Sequence, residues 1–377
     1  MFIFEVESKR FVMKSNRLGM FVFMAIGLIC GHSGWGSNTD TLCVDKKSND
    51  NNYFVVVPVA FYGEETNWGG GLSGGYYFRC RDNKVSSVQG TAVYTLKNQA
   101  SLWISPRIYT TDREHYYSGH IRVNHFPNKF WGVGRNTPDT LEEKYVSDDY
   151  SVLIQHQRIL FGVIMAGVQG QLNYYRTGDY PGDRLLATGI SGVNERLTTG
   201  LGVLLTWENR ENLYYPSFGE FYKASLMVYS KIFGSELNFT KLTIDLRNYY
   251  NIYDDHVFAL QFLADMTWGK VPFQLMPMIG GADVMRGYYQ GRYRDNAMAC
   301  LQGEYRFPIY KWLKGTIFGG LGDVAPYFDK LDISKSKLAY GAGIRVRVNP
   351  IKVNLRFDAA YSDRKEMAYY FTVTEAF

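Results

Sequence analysis

Residues 338–361 read LAYGAGIRVRVNPIKVNLRFDAAY, and this stretch decides the fold. On both sides of Asn349-Pro350, apolar residues alternate with polar residues or glycine, which is the period of a β-strand and not that of a helix. An Asn-Pro pair is typical of a turn. The sequence therefore predicts a hairpin of two strands with one apolar face and one charged face.

The same alternation extends outward from this hairpin over residues 53–377. About 16 strands fit the pattern, and single-chain bacterial membrane barrels have an even number of strands. The predicted strands lie near residues 53–62, 69–81, 87–97, 101–111, 116–126, 149–158, 162–176, 198–208, 219–232, 239–250, 257–269, 297–307, 314–323, 338–349, 351–361 and 366–377.

The alternating pattern fits two folds. In a soluble sandwich the apolar face is buried against a second sheet, whereas in a membrane barrel it contacts lipid and the charged face lines a watery lumen. Four further features favour the barrel: a secretion signal, aromatic residues at strand ends, strands long enough to cross a membrane, and short turns that alternate with long loops. We therefore predict an all-β fold, a transmembrane antiparallel β-barrel of about 16 strands.

The predicted connections between strands are of two kinds. Short links such as residues 81–84 and 310–313 are expected to be periplasmic turns. The long connections are expected to be outer loops, where function most often resides. These long segments are residues 127–148, 177–197, 270–296 and 324–337.

The N-terminus has the pattern of a secretory signal peptide. Basic residues precede an apolar run, residues 18–30, and small residues follow it. The alternative interpretation is a membrane-spanning helix, but such a helix needs roughly 20 apolar residues. We expect residues 1–36 to be the signal peptide, residues 37–52 a short periplasmic segment and residues 53–377 the barrel.

Composition and charge exclude several function classes. Aromatic residues make up 16% of the chain, which contains only 11 prolines, and this argues against disorder. The net charge of +5 is too small for a nucleic-acid surface. After removal of the predicted signal peptide an odd number of cysteines remains without CxxC spacing, which indicates neither a disulfide framework nor a zinc site. A disulfide bond between Cys43 and Cys80 remains an open alternative.

No sequence pattern indicates an enzyme or a cofactor. Residues 71–75 read GLSGG and match the letters of the GxSxG pattern of lipases, but Tyr76-Tyr77-Phe78 continue a strand and do not begin the helix that follows a nucleophile elbow. His115, His120 and His125 are spaced so that successive side chains on a strand face opposite sides. We therefore expect no catalytic residues, no metal ligands and no cofactor.

Two segments carry a family resemblance. Residues 280–288 read GGADVMRGY and residues 303–308 read GEYRFP. Together they resemble the bacterial surface antigen superfamily, the outer-membrane barrels that include BamA and TamA. BamA-like proteins usually carry periplasmic POTRA modules before the barrel. Residues 37–52 are too few for one such module, so the chain is similar to a barrel-only subgroup.

The resemblance implies a candidate site in the sixth outer loop, residues 270–296, which is expected to fold into the lumen. Arg286 of this loop is expected to pair with acidic residues of the barrel wall. Glu304 is one candidate partner because it lies on the polar face of its strand, and Asp323 is the other. The motif residues of the loop are Gly280, Gly281, Arg286, Gly287 and Tyr288.

The C-terminus resembles the β-signal of outer-membrane barrels, which ends in an aromatic residue. The alternation predicts that the last strand continues to Phe377 with one face formed by every second residue from Tyr369. The signal residues expected on this face are Tyr369, Phe371 and Phe377.

Two functions are consistent with the sequence. The resemblance implies a role in outer-membrane biogenesis or in translocation of protein or lipid, with membrane lipid, client polypeptides or a periplasmic accessory protein as partners. The alternative is a passive channel or a structural barrel subunit of an outer-membrane complex. Both interpretations place the chain in the outer membrane of a Gram-negative bacterium, and neither involves nucleic acid.

Overall fold

The computed structural model describes residues 52–63, 67–79, 85–112, 114–178, 180, 184–348 and 352–377. The predicted signal peptide, the residues that follow it up to 51, the Cys43 and Cys80 pair and the Asn349-Pro350 turn lie outside the described residues. Within these ranges, the structure contains no helix that is long and apolar enough to cross a membrane.

Strands dominate the described chain. The first nine are β1 (Tyr53–Gly63), β2 (Asn67–Arg79), β3 (Val85–Thr95), β4 (Ala100–Tyr109), β5 (His115–Phe130), β6 (Glu143–Ile159), β7 (Ile164–Gly178), β8 (Leu197–Glu208) and β9 (Gly219–Tyr229). The others are β10 (Phe239–Tyr253), β11 (His256–Gly269), β12 (Met278–Ile279), β13 (Tyr293–Arg294), β14 (Ala297–Tyr310), β15 (Leu313–Ala325), β16 (Lys337–Arg347), β17 (Asn354–Ser362) and β18 (Met367–Val373). The short β12 and β13 form a separate two-stranded sheet, and the remaining strands form one 16-stranded antiparallel sheet in which each strand pairs with the next.

The hairpin of β16 and β17 has the predicted apolar and charged faces. In the β16–β17 pair, Ile344 lies opposite Phe357 and Arg345 lies opposite Arg356. Ile344 and Phe357 leave 43% and 39% of their surface exposed, whereas both arginines are fully buried. The apolar face therefore points outward to lipid and the charged face points into the lumen, and the prediction of a transmembrane β-barrel is confirmed.

The first long loop is shorter than predicted because β5 and β6 extend further. Backbone pairing continues from Phe126 and Ser147 to Phe130 and Glu143. Pro127 lies inside the extended part of β5, opposite Val146, and a proline removes only its own amide donor. The ladder therefore passes through it, and the loop is residues 131–142.

The two edge strands of the sheet, β1 and β18, meet at the end of the barrel that carries the short turns. Val55 and Val57 of β1 belong to one apolar cluster with Leu355 of β17, and Val373 of β18 packs against this cluster. The pairing of described residues includes no backbone ladder between β1 and β18. The junction therefore rests on side-chain packing.

The connection between β8 and β9, residues 209–218, covers the same end of the lumen, and we call it the end cap. Tyr214 leaves only 1% of its surface exposed and packs edge-on against Tyr77, with ring centres 5.1 Å apart. The carbonyl oxygen of Pro216 accepts a hydrogen bond of 3.2 Å from Arg306 of the wall. The end cap is thus anchored to both sides of the barrel.

Candidate functional site: the lumen loop

Residues 270–296, which we call the lumen loop, connect β11 to β14 and lie against the inner face of the wall. The β12–β13 hairpin gives the loop its own backbone pairing. Ile279 and Tyr288 are fully buried, in one apolar cluster with Met298 of β14 and Val324 of β15. Nonpolar packing therefore places the loop against two strands of the wall.

The glycines of the loop motif have backbone conformations that other residues rarely adopt. The φ angles of Gly280, Gly281 and Gly287 are 110°, 107° and 115°. A Cβ atom on Gly287 would also lie 3.3 Å from the backbone of Tyr361 on β17. Glycine at this position lets the loop approach the wall closely.

Arg286 lies between two carboxylates of the wall. Its Nη2 is 2.6 Å from Oε2 of Glu304 on β14, and its Nη1 is 2.5 Å from Oδ2 of Asp358 on β17. The guanidinium carbon lies 3.5 Å from the ring centre of Phe318 on β15. Arg286 is 2% exposed and both carboxylates are fully buried. These contacts tie the loop to three strands of the wall.

The two carboxylates are shared with further arginines, which the sequence did not single out. Arg345 places Nη1 2.5 Å from Asp358 Oδ1 and Nη2 3.3 Å from Glu304 Oε1. The Nε of Arg306 lies 2.8 Å from Glu304 Oε1. A buried charge is costly unless it is paired, and in this network every charge has an opposite neighbour. Arg286 is the contribution of the lumen loop to the network.

Hydrogen bonds fix the residues that follow Arg286. The amide N–H of Gly287 donates to the hydroxyl of Tyr370 on β18 at 2.8 Å. The hydroxyl of Tyr288 lies 2.8 Å from the carbonyl oxygen of Leu338 and 2.6 Å from Oδ1 of Asp363. The motif is therefore bound to β16, to β18 and to the turn that precedes β18.

Asp323, the second expected partner of Arg286, has a different contact. Its Oδ2 lies 3.1 Å from Nη2 of Arg135 in the loop 131–142. Asp358 occupies the position next to Arg286 instead, and the structure corrects this expectation. Alternation in residues 351–361 already places Asp358 on the charged face, but it does not say which strand the loop will touch.

The last strand is shorter than predicted. It ends at Val373, and Thr374 has a positive φ of 73°, which breaks the alternation. As a result Glu375 points inward, where its Oε2 lies 2.6 Å from Nε of Arg345. The prediction of one continuous strand to Phe377 is therefore wrong in its last four residues, 374–377.

The residues of the expected C-terminal signal lie in two places. Tyr369 and Phe371 are on β18, on the face opposite to the fully buried Tyr370. Phe377 is 3% exposed and packs with Tyr249 inside the barrel. The aromatic residue at position 377 therefore fills the lumen and does not extend the outer face of β18.

At the end of the barrel that carries the long loops, which we call the long-loop end, ion pairs connect the lumen loop with the loop 131–142 and with the turn that precedes β18. Asp139 in the loop 131–142 places Oδ1 2.8 Å from Nη2 of Arg292 and 2.5 Å from Nη2 of Arg364. Burial raises the pKa of Asp139, but the hydrogen bonds from Arg364 and Arg292 outweigh it and hold the pKa below its usual value. The carboxylate is therefore charged at neutral pH.

These features define a class: a transmembrane β-barrel with an arginine-anchored loop packed on its inner wall. The family model described as the Omp85 superfamily domain matches residues 165–377, which is more than half of the 377-residue chain. The chain belongs to the Omp85 superfamily. The matched region contains the lumen loop, both carboxylates that hold Arg286 and the C-terminal strand.

Solved structures show the same fold at low sequence identity. BamA from Haemophilus ducreyi lacking POTRA domains 1–3 is 14% identical with a TM-score of 0.56, and the match covers 87% of this chain and 70% of that chain. CdiB from Escherichia coli is 12% identical with a TM-score of 0.55, covering 88% and 63%. CdiB from Acinetobacter baumannii is 12% identical with a TM-score of 0.51, covering 85% and 59%. The chain thus spans less than two thirds of either CdiB chain. Comparison with curated protein sequences gives no match.

Proposed function

We propose that this chain acts in outer-membrane biogenesis in a Gram-negative bacterium, by inserting or translocating protein or lipid. The observation that carries the proposal is the junction of β1 and β18, where the described residues form no backbone ladder. Edge strands present free N–H and C=O groups, and an incoming strand can pair with them. Client polypeptides, membrane lipid and a periplasmic accessory protein are the partners that fit this role.

The unequal attachment of the strands supports this location for an opening. β18 pairs with β17 over only seven residue pairs, from Leu355–Val373 to Tyr361–Met367. The lumen loop, in contrast, is bound to β14 and β17 through Arg286. Separation at the β1–β18 junction would leave the buried ion pairs around Arg286 intact, because none of them belongs to β1.

A passive channel is the second candidate, and the lumen itself favours it. A cavity of about 1680 Å³ lies between the lumen loop, the strands β1 to β10 and β18. Serine, glutamine and charged side chains line much of it, as in water-filled barrels. A channel would need this cavity to connect both ends, which requires displacement of the end cap.

Depletion in the native host distinguishes the two candidates. The protein is placed under a repressible promoter, and the outer-membrane proteome and surface lipids are quantified as it disappears. Selective loss of other barrels, exported proteins or surface lipid is the expected result, and it must be reversed by a plasmid copy of the wild-type chain. An unchanged envelope after complete depletion would contradict the proposal and favour the channel.

A further inference from the structure

The lumen cavity contains cationic side chains that lack the partners seen elsewhere in the barrel. Arg210 lies 2.5 Å from Glu208, and Arg247 lies 2.5 Å from Asp245, so paired arginines are common on this wall. Arg107 of β4 also lines the cavity, yet within the described chain it forms neither an ion pair nor a hydrogen bond. Its five N–H donors are available.

Lys223 of β9 lines the same cavity, and its side chain extends toward β5, the strand that pairs with the β4 strand of Arg107. Its Nζ is 3.4 Å from Oε1 of Gln155 on β6, and the same oxygen accepts a hydrogen bond of 3.1 Å from the hydroxyl of Ser118 on β5. Ser118 is the residue directly opposite Arg107 in the β4–β5 ladder. Lys223 and Arg107 are therefore close enough to repel each other electrostatically.

Arg122 of β5 is a third cation on this surface. It forms no ion pair with the residues that the structure describes, and its Nε is buried without a hydrogen-bond partner. Asp149 on β6 interacts electrostatically with Arg122, but the Asp149 carboxylate accepts a hydrogen bond from the hydroxyl of Ser147. Arg122 therefore extends the positive surface along β5, away from the Arg107 and Lys223 pair.

The nearby carboxylate on the β9 side does not neutralise Lys223. Asp245 on β10 attracts Lys223, but both of its oxygens are already bound by Arg247, and Gln261 donates to Oδ1 at 2.8 Å. The Asp245 carboxylate is thus engaged by Arg247 and Gln261, while Arg107 and Lys223 repel each other in the same polar cavity. A bound anion would remove this repulsion.

We propose that Arg107 and Lys223 form a binding site for a phosphate group inside the lumen, with Arg122 adding positive charge further along β5. A guanidinium binds two phosphate oxygens at once, and an ammonium adds a compact positive charge. Rings of arginine and lysine are the usual lining of anion and phosphate pores. The phosphate group belongs either to a free anion or to a lipid headgroup. This site does not depend on the proposed role in biogenesis.

Calorimetric titration of the folded, delipidated chain in detergent tests the site. Two probes are compared, inorganic phosphate and a short-chain phosphatidic acid. The expected result is saturable binding of at least one probe that weakens about tenfold or more in the double variant Arg107→Gln, Lys223→Gln, because charged hydrogen bonds are lost. The double variant Lys311→Gln, Lys330→Gln, which also removes two positive charges but at exposed positions, is the matched control.

The comparison of the two probes identifies the source of the phosphate group. Binding of inorganic phosphate assigns a free anion, whereas binding of phosphatidic acid alone assigns a lipid headgroup; both support the site. No saturable binding of either probe, or equal affinity in the double variant, would overturn it. Retention of the heat-modifiable folded band verifies that each variant is folded. Arg107→Lys, which keeps the charge, is expected to bind more tightly than Arg107→Gln.

Discussion

At the scale of single residues, Arg286 is held by carboxylates from two strands that are not neighbours in the sheet, Glu304 on β14 and Asp358 on β17. Strand parity was sufficient to predict that Glu304 faces the lumen. It was not sufficient to find Asp358, because the pairing depends on how deeply the loop folds across the barrel. That depth is set by tertiary packing around Phe318 and Tyr288.

Replacement of Arg286 by alanine is expected to destabilise the folded barrel by about 3–5 kcal/mol, because two buried carboxylates lose a partner. Urea unfolding in phospholipid vesicles measures this change. Arg158→Ala is the control, since Arg158 pairs with Glu114 on the exposed surface, and its expected effect is about 1 kcal/mol or less. Equal effects of the two substitutions would contradict the role of Arg286.

The identity of the second partner is testable by neutralising each aspartate. Asp358→Asn removes a buried charge that faces both Arg286 and Arg345, whereas Asp323→Asn affects the contact with Arg135 at the long-loop end and the hydrogen bond from the amide of Asp332. We expect a loss of about 3 kcal/mol or more for Asp358→Asn and a smaller loss for Asp323→Asn in the same unfolding measurement. The reverse order would favour the assignment that the sequence suggested.

At the scale of elements, the strands were more predictable than their ends. Alternation of apolar and polar residues is dictated by the two faces of the sheet, so it marks the 16 strands of the barrel wall but not the short β12 and β13 of the lumen loop. The ends depend on local backbone geometry and on contacts outside the strand. Pro127 did not end β5, and Thr374 ended β18 although the alternation of residues continued beyond it.

The end cap is an element whose role is measurable. Tyr214 is buried against Tyr77, while Phe218 of the same segment leaves 55% of its surface exposed. Tyr214→Ala is expected to loosen the cap and to raise single-molecule ion conductance in planar bilayers several-fold, because the cap covers the lumen. Phe218→Ala is the matched control and is expected to leave conductance unchanged. Unchanged conductance for Tyr214→Ala would show that the end cap does not limit ion flow.

The ion pairs that Asp139 forms with Arg292 and Arg364 should weaken at low pH. Because the folded pKa of Asp139 is lowered, its stabilisation is present above the ordinary aspartate pKa of about 3.9 and is lost as the pH falls through the folded value. Asp139→Asn is expected to lower the free energy of unfolding, measured by thermal denaturation, by about 1 kcal/mol or less at pH 7, since the side chain is largely exposed.

The pH profile provides the control for this contact. The difference between wild type and Asp139→Asn should stay constant from pH 8 to about pH 5, begin to fall near the ordinary aspartate pKa of about 3.9 and vanish below the folded pKa. Asp329→Asn, at an exposed pair with Lys330, should show almost no difference at any pH. A constant difference for Asp139→Asn down to pH 3 would contradict the proposed cause.

At the scale of the whole molecule, the lumen is divided into two parts. The lumen loop and the ion pairs around Arg286 fill the part against β14 to β17, while a cavity of about 1680 Å³ remains against β1 to β10 and β18. The sequence predicted a barrel with a watery lumen, but alternation alone does not distinguish a filled part from an open one. The loop motif supplied that information, because its glycines and Arg286 require close contact with the wall.

The measurement that tests the central claim most directly is a double-mutant cycle between Arg286 and Asp358. Urea unfolding in phospholipid vesicles gives the free energy of unfolding for wild type, Arg286→Ala, Asp358→Ala and the double variant. If the lumen loop is fixed to the wall by this pair, the two losses are strongly non-additive, with a coupling energy of about 1–3 kcal/mol. Additive losses, with no coupling beyond experimental error, would show that Arg286 and Asp358 do not interact and would contradict the account.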